Sequence, residues 1–352
     1  MIHLLSILKL KSSTPFTHWD SFSYNSSISL RYSLIRRKSF DTAKYQKQWS
    51  VYVDATGLYS GKRKLNEHCL EKWHQKGTAE ESVSYQSAVL EAKIDFGGSQ
   101  VMSIGSEFIE NAGVDEQEQK KQGAEQLQQD CEIKAFRRLT QKLKKEYPRL
   151  PMRIQGDSLY AAGPILDICK EKGWAYLLRY KNDRIPSIAQ EFECIPEKEV
   201  VEYADEQKGI TGRIEFVNDI SYQQHMVHVL RCVETQKKGK KEKVTHFQYL
   251  SSNRITKHNA KKILELGRCR WKIENQGFKR QKREAQCITH VCCWNAQAMK
   301  NHYLLQQLAD FFRKLYEIHY LSEQGIKKTQ RKVSFDLLQS LYLPLPDFEN
   351  SS

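Results

Sequence analysis

An amphipathic helix that interrupts a series of strand-like runs is the feature that most constrains the fold of this chain. Apolar residues recur every four positions between residues 123 and 147, and two prolines end the pattern. The preceding β-branched and aromatic runs lie at residues 49–58, 82–96 and 100–109. A short fourth strand, in the segment MRIQGDSLYAAG, follows the helix and ends at Gly156-Asp157. This order predicts an α/β fold in which a crossover helix brings the fourth strand beside the first.

The rest of the chain extends this pattern. A helix at residues 164–172 and a strand at 174–180 give the order β-β-β-α-β-α-β. Further strand-like segments, split by the lysine-rich turn from Lys237 to Lys243, predict a β insertion at about residues 183–254. A basic helical region over residues 256–283 and an amphipathic helix over 296–319 follow.

These elements define the expected domain organisation. Residues 47–322 are predicted to form one catalytic domain that contains the β insertion. Residues 1–46 mix serine, aromatic and basic residues without a sustained period, and we expect a poorly ordered leader or the remnant of an N-terminal domain. Residues 323–352 are expected to be a C-terminal tail.

The charge of the chain indicates a polyanionic partner. Lys and Arg total 56 against 42 Asp and Glu, a formal net charge of +14. Between Arg254 and Arg283 there are 11 basic residues and only two carboxylates. A surplus of this size attracts nucleic acid.

Membrane insertion and secretion are not expected. The apolar run at residues 2–8 is far shorter than the roughly 20 residues that a membrane helix needs, and no charged segment precedes it. The nine cysteines are scattered and odd in number, which is typical of reduced thiols in the cytoplasm.

Three carboxylates are placed where two-metal phosphoryl transfer requires them. Asp54 lies near the end of the first strand, Asp157 at the end of the fourth, and Glu274 in the later basic helix. Because the first and fourth strands are expected to be neighbours, Asp54 and Asp157 should come together. Hard Mg²⁺ or Mn²⁺ prefers oxygen ligands, and two such ions can clamp the attacking and leaving oxygens.

The segments around these carboxylates, VDATGLYSGK, GDSLYAAGP and RCRWKIENQGFKRQK, resemble the three blocks of cut-and-paste DDE transposases of bacterial insertion sequences. The first Asp of that family is followed by a small residue, Thr and Gly, as Asp54 is here. A Gly-Pro pair starts a helix after the second Asp, and Gly163-Pro164 is similar. The resemblance covers roughly residues 49–320.

The third block carries the sharpest similarity. The family signature there is Tyr, two residues, Arg, three residues, Glu, six residues, Lys, and Arg270 and Glu274 stand at the matching spacing. Gly267 occupies the Tyr position and Gln281 the Lys position. Arg270 and Glu274 are expected at i and i+4 on a helix, so they would share one face, with the arginine holding a phosphate while the glutamate binds metal.

The resemblance implies a ribonuclease-H-like mixed sheet flanked by helices, with the β insertion before the last catalytic helix. It implies a transposase that binds two Mg²⁺ or Mn²⁺ ions through Asp54, Asp157 and Glu274 and acts on transposon ends and target DNA. A homodimer on paired ends and a bacterial, nucleoid-associated location are also implied. The residues expected to contact DNA are Arg270, Lys272, Lys279, Arg280 and Lys282.

Several alternatives remain open at this point. The chain could be a catalytically silent DNA-binding remnant, or a two-metal DNA nuclease without strand transfer. Asp130 and Glu132 could form surface ion pairs or support the site. The lysine-rich turn reads as a solvated loop or as a DNA contact. Two groups suggest zinc without paired CxxC spacing: His68, Cys69 and His74, and Cys287, His290, Cys292 and Cys293.

Overall fold

The computed structural model describes residues 43–97, 101–111, 130–238, 241–285, 287–291, 293–322 and 324–342. These divide into two compact units. The larger unit comprises residues 43–57 and 87–277, and the smaller unit comprises residues 58–86 and the described residues from 278 onward. No helix within the described ranges has the length and apolar character that crossing a membrane requires.

A mixed sheet of ten strands is the dominant feature. The strands are β1 (Trp49–Gly61), β2 (Leu70–His74), β3 (Ser82–Asp95), β4 (Val101–Ile109), β5 (Met152–Gln155), β6 (Ala175–Arg179), β7 (Glu199–Asp205), β8 (Ile210–Tyr222), β9 (His225–Lys238) and β10 (Lys241–Ser251).

The helices lie between and after these strands. They are α1 (Glu132–Glu146), α2 (Gly163–Lys172), α3 (Pro186–Cys194), α4 (Ala260–Arg268), α5 (Ala296–Tyr316) and α6 (Gln330–Tyr342). Two π-helical segments, Ile273–Phe278 and Gln281–Ala285, follow α4.

The strand order in the larger unit is β4-β3-β1-β5-β6-β10-β9-β8-β7. Strands β1, β5 and β6 are parallel, and β6 pairs antiparallel with β10. The fold is therefore ribonuclease-H-like, as predicted, with β1 and β5 adjacent and a β insertion formed by β7 to β10.

Helix α1 is the predicted crossover. Its buried residues recur at the spacing of one helical face, with Ala135, Leu139 and Leu143 among them, as the apolar pattern predicted. That face lies against β4, where a Cβ on Gly105 would come within 2.9 Å of the Leu143 side chain. The predicted start of this helix, at residues 123–129, falls outside the described residues.

The β insertion has its own apolar core. Helix α4 packs against the sheet, burying a cluster made of Leu177, Ile214, Phe216, Leu230, Cys232, Tyr249, Ile255, Ala260, Ile263 and Leu264. Apolar residues removed from water in this way stabilise the folded state by roughly 25 cal/mol per Å². The insertion is thus a packed extension of the catalytic sheet.

The structure differs from the sequence reading in several elements. Strands β2 and β7 and helix α3 were not predicted, because each is short and none has a sustained apolar period. Helix α6 lies in the stretch that was expected to be a tail from residue 323. The predicted leader up to residue 42 and the tail after residue 342 lie outside the described residues.

Candidate active site

Two neighbouring parallel strands carry the first two predicted carboxylates, Asp54 within β1 and Asp157 just after the end of β5. The β1–β5 register pairs Tyr52 with Gln155, and Asp54 and Asp157 each follow two residues further along. Residues paired in this way point to the same face of a sheet. The Gln155 amide donates to the Ser50 hydroxyl at 2.9 Å on that face, which supports the same alternation.

Local backbone contacts orient both carboxylates. The Ala55 N–H donates to Asp54 Oδ1 at 3.1 Å, and the Leu159 N–H donates to Asp157 Oδ1 at 2.8 Å. Asp157 thereby caps a short 3₁₀ turn over residues 158–160. Gly156 allows this turn, because a Cβ there would lie 2.6 Å from the Tyr160 ring.

The third carboxylate, Glu274, is exposed in the π-helical segment Ile273–Phe278. Helix α4 ends at Arg268, and Arg270 lies in the turn that follows it. Arg270 and Glu274 are therefore not on one continuous α-helix, which corrects the predicted geometry. A π-helical segment inserts an extra residue per turn and occurs frequently at functional sites.

Arg270 faces the carboxylates. Its Nη1 lies 3.1 Å from Asp54 Oδ2, and both side chains are about one-quarter exposed, at 25% and 23%. The contact is a charge-assisted hydrogen bond between a guanidinium and a carboxylate that are both partly shielded from water. The guanidinium therefore supplies positive charge beside the first carboxylate.

The pKa of Asp54 reveals the charge balance of this region. Burial raises that pKa most, Arg270 lowers it, and the neighbouring charges of Asp157 and Glu274 raise it again. All three predicted carboxylates therefore lie close enough to interact electrostatically. Their mutual repulsion favours either a proton or an added cation.

The donor chemistry fits hard divalent ions, since the three side chains offer only oxygen ligands. The charges of Asp157 and Glu274 both raise the pKa of Asp54. Within the described ranges, however, no group of three or more His, Cys, Asp or Glu side chains is arranged to hold a metal ion. Asp54 is instead in contact with Arg270.

A fourth carboxylate, Glu132, belongs to the same region. It begins α1, and the Tyr160 hydroxyl donates to its Oε1 at 2.5 Å. Burial raises the pKa of Glu132 most, the Tyr160 hydrogen bond lowers it, and the charges of Asp54 and Asp157 raise it. The Phe136 and Tyr160 rings meet edge to face at 5.3 Å, which fixes the tyrosine.

The sequence left the role of Glu132 open, together with that of Asp130. Asp130 instead forms an ion pair with Arg138 at 2.6 Å, and Arg138 also contacts Glu107 at 2.7 Å. Glu132 and Asp130 differ in role because of their contacts with other residues, Tyr160 and Arg138. The helix was predicted to begin near residue 123, so the position of Glu132 in the first turn of α1 was not available from the sequence.

The predicted DNA-contacting residues fall into different surroundings. Lys272 is largely buried, and its Nζ lies 2.7 Å from Asp95 Oδ2, a carboxylate that also accepts from the Tyr52 hydroxyl at 2.6 Å. The ammonium of Lys272 is thus already paired inside the larger unit. Arg270 contacts Asp54, as described above.

The other predicted contacts, Lys279, Arg280 and Lys282, lie in the smaller unit. Lys279 is exposed, whereas Arg280 and Lys282 are partly buried. Gln281, at the Lys position of the signature, is buried, and its amide nitrogen lies 2.9 Å from Gln307 Oε1 and 3.1 Å from Asp310 Oδ2.

The residues considered for zinc form no metal-binding group in the part of the chain that the structure describes. His74 Nε2 instead lies 2.8 Å from the Ser84 hydroxyl, across the β2–β3 pair. Cys292, one of the candidates, falls outside the described residues.

Comparison with known proteins gives one family. Residues 128–309, just over half of the chain, match the model of the transposase DDE domain. The matched range contains Glu132, Asp157, Arg270 and Glu274 and begins after Asp54. No curated protein matches the chain.

Proposed function

Because the chain belongs to the transposase DDE-domain family, we propose that it is a metal-dependent DNA transposase that cuts strands at insertion-sequence ends and joins them to target DNA. The observation that carries the proposal is the β1–β5 register, which pairs Tyr52 with Gln155, the residues two positions before Asp54 and Asp157. The charge of Glu274 raises the pKa of Asp54, which supports Glu274 as the third carboxylate of the proposed site.

We assign the binding of two Mg²⁺ or Mn²⁺ ions to Asp54, Asp157 and Glu274. Such ions, when bound, activate a nucleophilic oxygen and stabilise the charge that develops at phosphorus. Asp54 would take part in holding both ions, since it interacts with both other carboxylates. As the ions bind, Asp54 would exchange its contact with Arg270 for contacts with the ions.

The protein's own residues supply position and charge. The Leu159 N–H donates to Asp157 Oδ1 and so orients that carboxylate. Arg270, once released from Asp54, would hold a phosphate oxygen of the scissile strand. No side chain needs to act as a covalent nucleophile, because water and then a DNA 3′-hydroxyl would attack the phosphodiester.

Two observations favour the alternative that the chain is a catalytically silent DNA-binding remnant. Gly267 and Gln281 replace the Tyr and Lys of the family signature, and Gln281 is buried among Gln307 and Asp310. A related nuclease without strand transfer would use the same carboxylates. The dimer on paired ends also belongs to this proposal.

The experiment compares purified protein with its Asp157→Asn and Glu274→Gln variants on supercoiled DNA that carries candidate terminal repeats, with Mg²⁺. We expect nicked and joined products from the wild type and neither from the variants. Nicks without joined products would favour the nuclease. A wild type that binds DNA but makes no product would favour the remnant, and active variants would overturn the site.

Glu132→Gln gives a separate prediction. We expect the Mg²⁺ concentration for half-maximal cleavage to rise by roughly 10-fold or more, because residues that support metal ligands typically contribute 10- to 100-fold to affinity or activity. A Mg²⁺ titration of initial cleavage rates measures this. The matched control is Glu193→Gln, which removes an exposed carboxylate paired with Arg231 and should leave the midpoint unchanged.

A further inference from the structure

The row of residues that begins with Asp54 and Asp157 continues across two more strands. In the β5–β6 register Ile154 pairs with Tyr176, and three residues further along each strand are Asp157 and Arg179. The Arg179 N–H donates to the Gly156 carbonyl at 3.1 Å, so the pairing persists to this level. Arg179 in turn pairs with Tyr249 on β10.

This row lies on one face of the sheet. Directly paired residues point to the same side, so the side chains of Arg179 and Tyr249 lie on the side of Asp54 and Asp157. Leu177, two residues before Arg179, belongs to the apolar cluster beneath α4 together with Tyr249. The face is therefore the one that α4 covers and that ends beside Arg270.

Tyr249 fills the space that Gly267 leaves open. A Cβ on Gly267 would lie 2.5 Å from Tyr249 Cε1 and 2.7 Å from its Cζ, so no larger residue fits there while the ring keeps its place. The ring is 4% exposed. The sequence thus has glycine at the signature's Tyr position, and a tyrosine from β10 occupies the adjoining space.

The positively charged groups around Tyr249 favour the binding of an anion. Burial raises the pKa of Tyr249 to about 12, while Arg179, Arg268 and Arg270 lower it. Its hydroxyl is therefore a protonated donor at neutral pH, close to three guanidinium groups. Arg268 is engaged by Glu234, with its Nη2 2.8 Å from Glu234 Oε2.

Arg179 differs from these neighbours. It is exposed, and its side chain has no ion-pair or hydrogen-bond partner among the described residues. An arginine that ends a strand beside two carboxylates, without a carboxylate of its own, offers its planar set of donors to an incoming ligand.

We propose that Arg179, Tyr249 and Arg270 form a subsite that binds one backbone phosphate of the DNA strand beside Asp54 and Asp157. The proposal rests on the proposed function. A phosphate suits this place because guanidinium groups bind it through paired hydrogen bonds and the tyrosine adds a neutral donor. The subsite would hold the strand while the carboxylates act on the neighbouring phosphodiester.

The test measures binding of a short fluorescein-labelled DNA duplex by anisotropy in EDTA. Cleavage then does not contribute and Arg270 stays paired with Asp54, so the variants report on Arg179 and Tyr249. Wild type, Arg179→Ala, Arg179→Lys, Tyr249→Phe and the control Arg213→Ala are each titrated over a range of salt concentrations. Arg213 is an exposed arginine on β8, at the other end of the sheet, where it pairs with Glu202 and Glu215. Thermal unfolding establishes that each variant is folded.

We expect Arg179→Ala to weaken binding roughly 10-fold and to reduce the slope of log Kd against log salt by about 0.9, the value for one lost phosphate contact. Arg179→Lys should retain the slope. Tyr249→Phe should weaken binding roughly 10-fold without changing the slope, because a neutral donor releases no counterion. Arg213→Ala should match the wild type.

Two results would overturn the subsite. One is an Arg179→Ala variant whose affinity and slope equal those of Arg213→Ala, and the other is a Tyr249→Phe variant that binds like the wild type. Either result leaves the proposed function standing if the wild type still cuts DNA with Mg²⁺. A wild type that fails to cut but shows the expected binding losses would contradict the proposed function and retain the subsite.

Discussion

Asp54→Asn should abolish Mg²⁺-dependent DNA cleavage and, in the same protein without metal, raise stability at neutral pH. The first effect follows because the amide cannot supply the negative charge that the proposed ions need. Removing a single group that stabilises the transition state typically costs roughly 100-fold or more in rate. The second effect follows from the desolvation of Asp54, whose ionised form is disfavoured in the folded chain.

The pH dependence has a definite sign. Burial, opposed by Arg270 and reinforced by Asp157 and Glu274, raises the folded-state pKa of Asp54 above its unfolded value of about 3.9. The folded chain then binds more protons than the unfolded chain between these two pKa values, so stability falls as pH rises through that window. The penalty is absent below the unfolded pKa and complete above the folded pKa.

We therefore expect the stability difference between Asp54→Asn and the wild type to be small at acidic pH and to grow toward neutral pH. Thermal unfolding with EDTA at several pH values measures it. Adding Mg²⁺ should raise the Tm of the wild type more than that of the variant, because a ligand that binds only the folded state stabilises it. The control is Asp183→Asn, which alters an exposed aspartate in the larger unit. Equal Mg²⁺ responses in wild type and Asp54→Asn would contradict the assignment.

Glu91→Ala should cause the largest loss of stability, about 3–5 kcal/mol, because it removes the carboxylate of a fully buried ion pair. The Glu91 and Lys93 side chains are both 0% exposed, with Lys93 Nζ 3.4 Å from Glu91 Oε2. The Ser103 hydroxyl donates to the same oxygen at 2.6 Å, and the Ser106 hydroxyl donates to Oε1. The truncation would leave a buried ammonium without this carboxylate, and the hydroxyls of buried Ser103 and half-buried Ser106 without this acceptor.

Urea unfolding at neutral pH gives the difference in the free energy of unfolding. Glu202→Ala is the matched control, since Glu202 is 71% exposed in its pair with Arg213 and should change stability by less than about 1 kcal/mol. If Glu91→Ala unfolds at the same urea concentration as the control, the buried pair contributes no net stability. Glu91→Gln should lie between the two, because its amide oxygen can still accept from a serine.

Much of the fold could be predicted because the pattern is periodic and the connections are short. The buried face of α1 follows directly from the four-residue spacing of Ala135, Leu139 and Leu143. The adjacency of β1 and β5 follows from the crossover. Strand β7 is only seven residues long and none of its positions is fully buried, so it gave no comparable signal.

The site was less accessible to sequence reasoning than the fold. The pairing of Lys272 with Asp95 joins residues far apart in the chain, and no local pattern indicates it. The turn at Arg270 and the π-helical segment that carries Glu274 depend on how α4 ends against the sheet. Arg179 and Tyr249 became visible only when the strand registers aligned them with Asp54 and Asp157.

The same registers restrict how the length of this chain could change. Because side chains alternate between the two faces of a strand, gaining or losing one residue between Trp49 and Asp54 would turn the carboxylate to the opposite face. The same change between Met152 and Asp157 would separate the pair equally. Length variation in such a chain is therefore tolerated in the connections between strands, while each of these two short segments must keep its count of residues even when its individual side chains change.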